Sequence, residues 1–149
     1  MSERIETAAL RDFSVSLCRA AGLSADDAAL LTDSILFAEC RGVTSHGLLR
    51  LPQYIARLRS GATASNVPMP FTMESGGTAR LDAQNGLGQL AGRKASDKAE
   101  KLAAEYGVSF VAVANSNHFG TGAWYAIPAA RRGFFAFNIS SAASAMAPH

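Results

Sequence analysis

Two stretches carry side chains whose types and spacing could do chemistry. The first runs Arg41-Gly42-Val43-Thr44-Ser45-His46-Gly47-Leu48-Leu49-Arg50-Leu51-Pro52-Gln53-Tyr54 and on to Arg57. Proline is tolerated in the first turn of a helix and not in its interior, so a helix is expected to start between Leu48 and Leu51. His46 then lies in the loop before it, and Arg50, Tyr54 and Arg57 follow at spacings of four and three on one face. A guanidinium fork matches a carboxylate, and an adjacent imidazole titrates near neutral pH. This pattern reads either as an oxyanion or carboxylate site or as an ordinary solvated arginine face with a tyrosine lid. The second stretch is Asn115-Ser116-Asn117-His118-Phe119-Gly120-Thr121-Gly122. It places His118 among small polar residues and glycines in a short loop.

The elements that must position these residues are legible from periodicity. Ile5 to Ala20 reads as an amphipathic helix with Ile5, Ala9, Phe13 and Leu17 on the buried side, stopped by Gly22. Ser24 caps a second helix, with Asp27 three residues on, and Ala28, Leu31, Ile35 and Ala38 form its buried stripe. Gly61 to Pro70 reads as an extended linker, because Pro68 and Pro70 disfavour helix. Phe71–Glu74 and Thr78–Asp82 read as short strands around Gly76-Gly77, and Leu87–Tyr106 as a helix ended by Gly107. Val108–Ala114 reads as a buried strand, Ala123–Arg132 as a helix marked by Pro128, and Phe134–Ser140 as another buried strand. The last three would make a parallel βαβ unit, with the His118 loop and Ser140-Ser141 leaving the carboxyl edge, where ligands bind in open sheets.

Composition bounds the class. The chain has 149 residues, 48% of them hydrophobic and 17% charged, which suits a globular protein with a real core. The net charge of +2 argues against nucleic acid as a partner. No apolar run is long enough for a membrane span, and Cys18 and Cys40 read as buried free thiols of a reducing cytoplasm. His46, His118 and His149 are isolated singles without metal-ligand spacing, so no metal is expected. No Gly-x-Ser-x-Gly elbow supports a hydrolase. The Gly86–Gly92 glycines resemble a dinucleotide motif, but the segment before them is a poor apolar strand. They read as a turn followed by a helix whose glycines allow close packing.

Three stretches together resemble the malate/L-lactate dehydrogenase family of NAD(P)-dependent oxidoreductases. They are Arg41 to Gly47 running on to Arg50, Pro52 and Tyr54; Asp82 to Gly88-Gln89; and Asn115 to Gly120. The tail Met146-Ala147-Pro148-His149 is also similar. The resemblance implies an α/β fold, not a Rossmann fold: an N-terminal helical segment followed by part of a mixed-sheet NAD(P)-binding domain. The corresponding division is residues 1–60, a linker at 61–70, and an incomplete cofactor and substrate domain at 71–149. It implies only the N-terminal part of an enzyme roughly twice this length, and a homodimer in the cytoplasm.

The resemblance also implies roles. His46 and His118 become the catalytic pair, one handling a proton at the substrate oxygen and the other orienting substrate and nicotinamide, in either order. Arg50 anchors the substrate carboxylate with Ser45 and Tyr54. His118, Gly120 and Ser141 reach the cofactor, NAD or NADP; an ungapped count puts the family's cofactor serine at Ala142, one residue beyond Ser141. The implied reaction moves hydride between NAD(P) and a 2-hydroxy acid, a 2-oxo acid or a related imino acid. Two other readings stand beside it: a truncated, non-catalytic chain that folds or dimerises, and a small-anion binding module built on Arg50 and Arg57.

Overall fold

A computed structural model describes residues 5–141. The first third is helical. Helices α1 (Thr7–Ala20) and α2 (Ala25–Glu39) form a hairpin, and α3 (Leu51–Arg59) follows two single 3₁₀ turns at Thr44–His46 and Leu48–Arg50. Ser24 caps α2 by accepting from the Asp27 amide at 3.2 Å, as its sequence predicts. Pro52 sits in the first turn of α3, where its missing N–H costs nothing.

The apolar stripe expected on α2 is buried at Ala28, Leu31, Ile35 and Ala38. The stripe expected on α1 is not. Ile5, Ala9 and Phe13 are exposed, and α1 instead buries Ser14 and Cys18 with Leu17 packed alongside. Both sides of α1 carry apolar residues, so periodicity alone does not choose between them. The side with the smaller residues faces α2, where Cys18 approaches Thr32 and Arg11 pairs with Asp33 at 2.6 Å. Cys18 is buried as expected, but Cys40 is exposed, because it caps the end of α2 beyond the buried stripe.

Strands β1 (Phe71–Ser75), β2 (Thr78–Asp82) and β3 (Phe110–Ala114) form one mixed sheet in the order β1-β2-β3. β1 and β2 are an antiparallel pair, while β2 and β3 are parallel, with Leu81 opposite Val113 and Asp82 opposite Ala114. Helix α4 (Gly88–Tyr106) makes the crossover between β2 and β3 and ends at Gly107, whose φ of +83° suits glycine. Helix α5 (Ala123–Arg131) follows β3 with Pro128 inside it.

The βαβ unit is therefore β2-α4-β3, one unit earlier than the sequence reading placed it. Residues 134–140 form no strand, and Phe135, Phe137 and Ile139 are exposed, Phe135 at 93%. β3 is not fully buried either: Phe110 and Val113 face solvent, as does Val108 just before it. An apolar run identifies sequence able to be covered, but covering it takes a partner surface, and no described residue supplies one here.

Two apolar clusters hold the molecule together. One gathers α1, α2 and α3 around Leu31, Ile35 and Tyr54; the other packs Leu81 and Ala83 against Ala91 and Ala95 of α4. Leu87 belongs to the first, and Leu90 packs against both. Residues 61–70 are anchored rather than loose. Asn66 accepts from the Ser24 amide and donates to the Gly22 carbonyl, and Met69 and Thr63 are buried. No helix among the described residues is long and apolar enough to cross a membrane.

Candidate active site

The first half of the site is a knot at the end of α2. Glu39 accepts a hydrogen bond from the Leu48 amide at 2.9 Å. A Cβ on Gly47 would run into the Glu39 carboxylate and displace it from the Leu48 amide, so glycine here lets that hydrogen bond form. Ser45 Oγ lies 3.0 Å from His46 Nδ1. Arg50 donates from Nε to the Ser45 carbonyl at 2.7 Å and from Nη1 to Gln53 at 3.1 Å. Its Nη2 has no hydrogen-bond partner among the described residues. One turn into α3, Tyr54 is 5% exposed and directs its hydroxyl out of the helical core.

The second half is the loop after β3. Asn115 turns the chain at φ +52°. Asn117 then ties the loop down: it accepts from Arg57 Nη2 at 2.9 Å and donates to the Asn85 and Gly86 carbonyls at 2.9 and 3.0 Å. Gly88 lets the start of α4 press against the loop backbone, since a Cβ there would collide with the Asn117 and His118 carbonyl oxygens. Gly92 does the same for the Tyr125 ring, and the Tyr125 hydroxyl donates to the Phe119 carbonyl. The glycines that resemble a dinucleotide motif are thus packing glycines.

The halves meet through His118. Tyr54 Oη is 2.7 Å from His118 Nδ1, and Gln89 Nε2 donates to the same oxygen at 2.8 Å. The His46 and His118 rings lie 5.3 Å apart, tilted by 31°. Burial of one side of the ring pushes the His118 pKa down, helped by the nearby His46 and Arg50. As a residue His118 is nonetheless exposed; Tyr54 takes its Nδ1, and its Nε2 has no hydrogen-bond partner among the described residues. Burial likewise raises the Tyr54 hydroxyl, against the opposing pull of Gln89 and Arg50.

A pocket of about 260 Å³ opens here, lined by Arg50, Gln53, Tyr54, Arg57, Thr63, Leu87, Asn117 and His118. A larger hollow of about 390 Å³ lies beyond β2 and β3, lined by Asp82, Gln84, Asn85, Asn115 and Ser116. It is shallow, and the Asp82 carboxylate in it is committed to Asn115 and the Gln84 amide. The smaller pocket is the one lined by the candidate residues Arg50, Tyr54 and His118, with His46 beside the His118 ring.

Of the residues singled out from sequence, the structure joins Ser45, His46, Arg50, Tyr54 and His118. Gly120 adjoins them in a left-handed turn at φ +80°, its amide 3.4 Å from His118 Nδ1. Ser141 is exposed, and no described hydrogen bond links it to the site. Ala142, the Met146–His149 tail and His149 lie outside the described residues. The His118 loop does leave a carboxyl strand edge, that of β3 beside β2. Arg57, read as an anion ligand, spends Nε on Thr63 and Nη2 on Ala62 and Asn117. Sequence reading passed over Gln89, Asn117 and Glu39 as site-building residues. Only the glycines flanking them hinted that backbone closes tightly there.

The malate/L-lactate dehydrogenase family model matches residues 5–149. The chain belongs to the malate/L-lactate dehydrogenase family. It is 38% identical to the L-sulfolactate dehydrogenase of Methanocaldococcus jannaschii over 127 residues, 85% of this chain and 37% of that protein. It is 33% identical to the malate dehydrogenase of Pyrococcus abyssi over 145 residues, 97% of this chain and 40% of that one. The solved malate dehydrogenase of Pyrococcus horikoshii superimposes with a TM-score of 0.85 at 33% identity, covering 88% of this chain and 38% of that structure. The chain thus spans about two fifths of the length of these family members. Its helical hairpin and three-stranded mixed sheet are a partial α/β domain of the family.

Proposed function

We propose that this chain builds the substrate-facing wall of an NAD(P)-dependent oxidoreductase. The enzyme would interconvert a small 2-hydroxy acid and its 2-oxo acid, or reduce a related imino acid. One observation carries the reading. His46 and His118, 72 positions apart in sequence, stand 5.3 Å ring to ring beside a guanidinium with an uncommitted nitrogen. Relatives support it: they include a (2R)-3-sulfolactate dehydrogenase named for NADP(+) and a ureidoglycolate dehydrogenase named for NAD(+).

Arg50 would bind the substrate carboxylate through Nη2 and the remaining Nη1 proton, a charge-assisted pair. Its hold on Ser45 and Gln53 fixes the fork before substrate arrives, which reduces the entropy lost on binding. The Nε2 atoms of His46 and His118 have no partner among the described residues, so either can hold a proton at the substrate's C2 oxygen. Tyr54 keeps the His118 ring in place from the buried side.

The donor set fits the nicotinamide end of NAD or NADP. His118, exposed beside the pocket, would face the nicotinamide ring, and the backbone of Gly120, buried against Ser34 and Gln89, would hold His118 from behind. When bound, that ring supplies the two-electron redox chemistry. Ser141 belongs to this proposal as a cofactor contact. A homodimer in the cytoplasm belongs to it as well; the two unpaired cysteines, Cys18 and Cys40, are in keeping with a reducing compartment.

The test is a panel of 2-oxo acids and cyclic imino acids with NADH and NADPH on the whole protein. At least one pair should turn over, and Arg50→Met should raise KM for it by roughly 10- to 100-fold, the worth of one charged hydrogen bond. No turnover with any pair, or an unchanged KM in the variant, would contradict the reading.

A further inference from the structure

One polar side chain beneath the site is fully buried and only half paired. Gln89, in the first turn of α4, has 0% of its surface exposed. Its Nε2 donates to Tyr54 Oη at 2.8 Å, while its Oε1 has no hydrogen-bond partner. Tyr54 in turn sits 2.7 Å from His118 Nδ1. A hydrogen-bonded line therefore runs from the core to the pocket: Gln89, Tyr54, His118.

Two proton arrangements along that line pair the Tyr54 hydroxyl hydrogen as well as its oxygen. In one, Gln89 Nε2 donates to Tyr54, the Tyr54 hydroxyl donates to His118 Nδ1, and the neutral ring carries its proton on Nε2. In the other, the amide is turned over. Gln89 Oε1 accepts the Tyr54 proton, Tyr54 accepts from His118 Nδ1–H, and Nε2 is bare. Gly120 favours the first: its backbone amide can only donate, and it is directed at His118 Nδ1 at 3.4 Å, a long contact beside the 2.7 Å Tyr54 hydrogen bond, so Nδ1 is an acceptor with Tyr54 as its principal donor.

We infer that Gln89 is a positioning residue: acting through Tyr54, it holds neutral His118 as the Nε2–H tautomer. The pocket then meets a ligand's oxygen with a hydrogen-bond donor rather than a bare base. It favours a carbonyl or imine-derived acceptor over a hydroxyl that must give up its proton. This preference rests on the proposed function; the tautomer itself rests on the geometry alone.

Long-range ¹H–¹⁵N NMR of the imidazoles in the ¹⁵N-labelled chain, at a pH where His118 is neutral, reads the tautomer directly. His118→Asn identifies the resonance. The wild-type ring should show Nδ1 unprotonated and Nε2 protonated. Gln89→Met, which keeps the length and removes the donor, should move His118 toward a mixture of tautomers. Gln89→Glu, whose carboxylate can only accept from Tyr54, should invert it to Nδ1–H. A wild-type ring already protonated on Nδ1 would overturn the inference. So would a folded Gln89→Met protein, judged by circular dichroism, with the wild-type tautomer, whatever Gln89→Glu does. No turnover is measured, so failure of the proposed activity and failure of this inference are separate results.

Discussion

His118 is held neutral by its surroundings, and that has a consequence for stability. Its folded-state pKa lies below the ordinary 6.5, first through burial and then through His46 and Arg50. As pH falls, the unfolded chain takes up this proton before the folded chain does. The contribution of His118 is thus intact above pH 6.5 and is lost as pH drops through its lower folded value. Thermal melts across this range should show a steeper acid-side loss of Tm in the wild type than in His118→Asn. Parallel curves would show that the ring is not perturbed. At this scale the sequence displayed the candidate residues that the structure brings together but not their supports. Histidine and arginine advertise their chemistry by type. Gln89 and Asn117 matter only because contacts 35 and 60 positions away in sequence, to Tyr54 and from Arg57, reach them.

Elements set the distance between the two halves of the site, and close glycine contacts set the elements. Gly88 does not need a left-handed conformation, so alanine suits its backbone, yet its Cβ would meet the Asn117 and His118 carbonyls. Backbone oxygens cannot swing aside as a side-chain tip can. Gly88→Ala should therefore destabilise the protein by about 1–3 kcal/mol and shift the His118 ring resonances. Urea unfolding and the imidazole spectrum check the two effects, and a neutral change in both would remove Gly88 from the account. The helices, their caps and the β1-β2 hairpin were readable because glycine, proline and serine mark ends locally. The pairing of β2 with β3 was not, since parallel neighbours are joined through a 19-residue helix. The buried side of α1 was not readable either, because the choice between Phe13 and Cys18 is made by α2.

For the whole molecule, the unpaired apolar surface is the main feature. Val108, Phe110, Val113, Phe135, Phe137 and Ile139 are all exposed among the described residues of the second half, apolar area available for association. The chain should therefore associate with rising concentration, and sedimentation velocity over a tenfold range would reveal it. A constant monomer mass would mean that this surface is tolerated in water. Residues able to be covered are visible in a sequence; what covers them is not. The central claim, that the His46 and His118 halves form one proton-handling site, is tested most directly by steady-state turnover of the whole protein with His118→Asn. With a 2-oxo acid and reduced nicotinamide, kcat should fall by roughly 10²- to 10⁴-fold while circular dichroism stays unchanged. A folded variant with near-normal kcat would contradict the account.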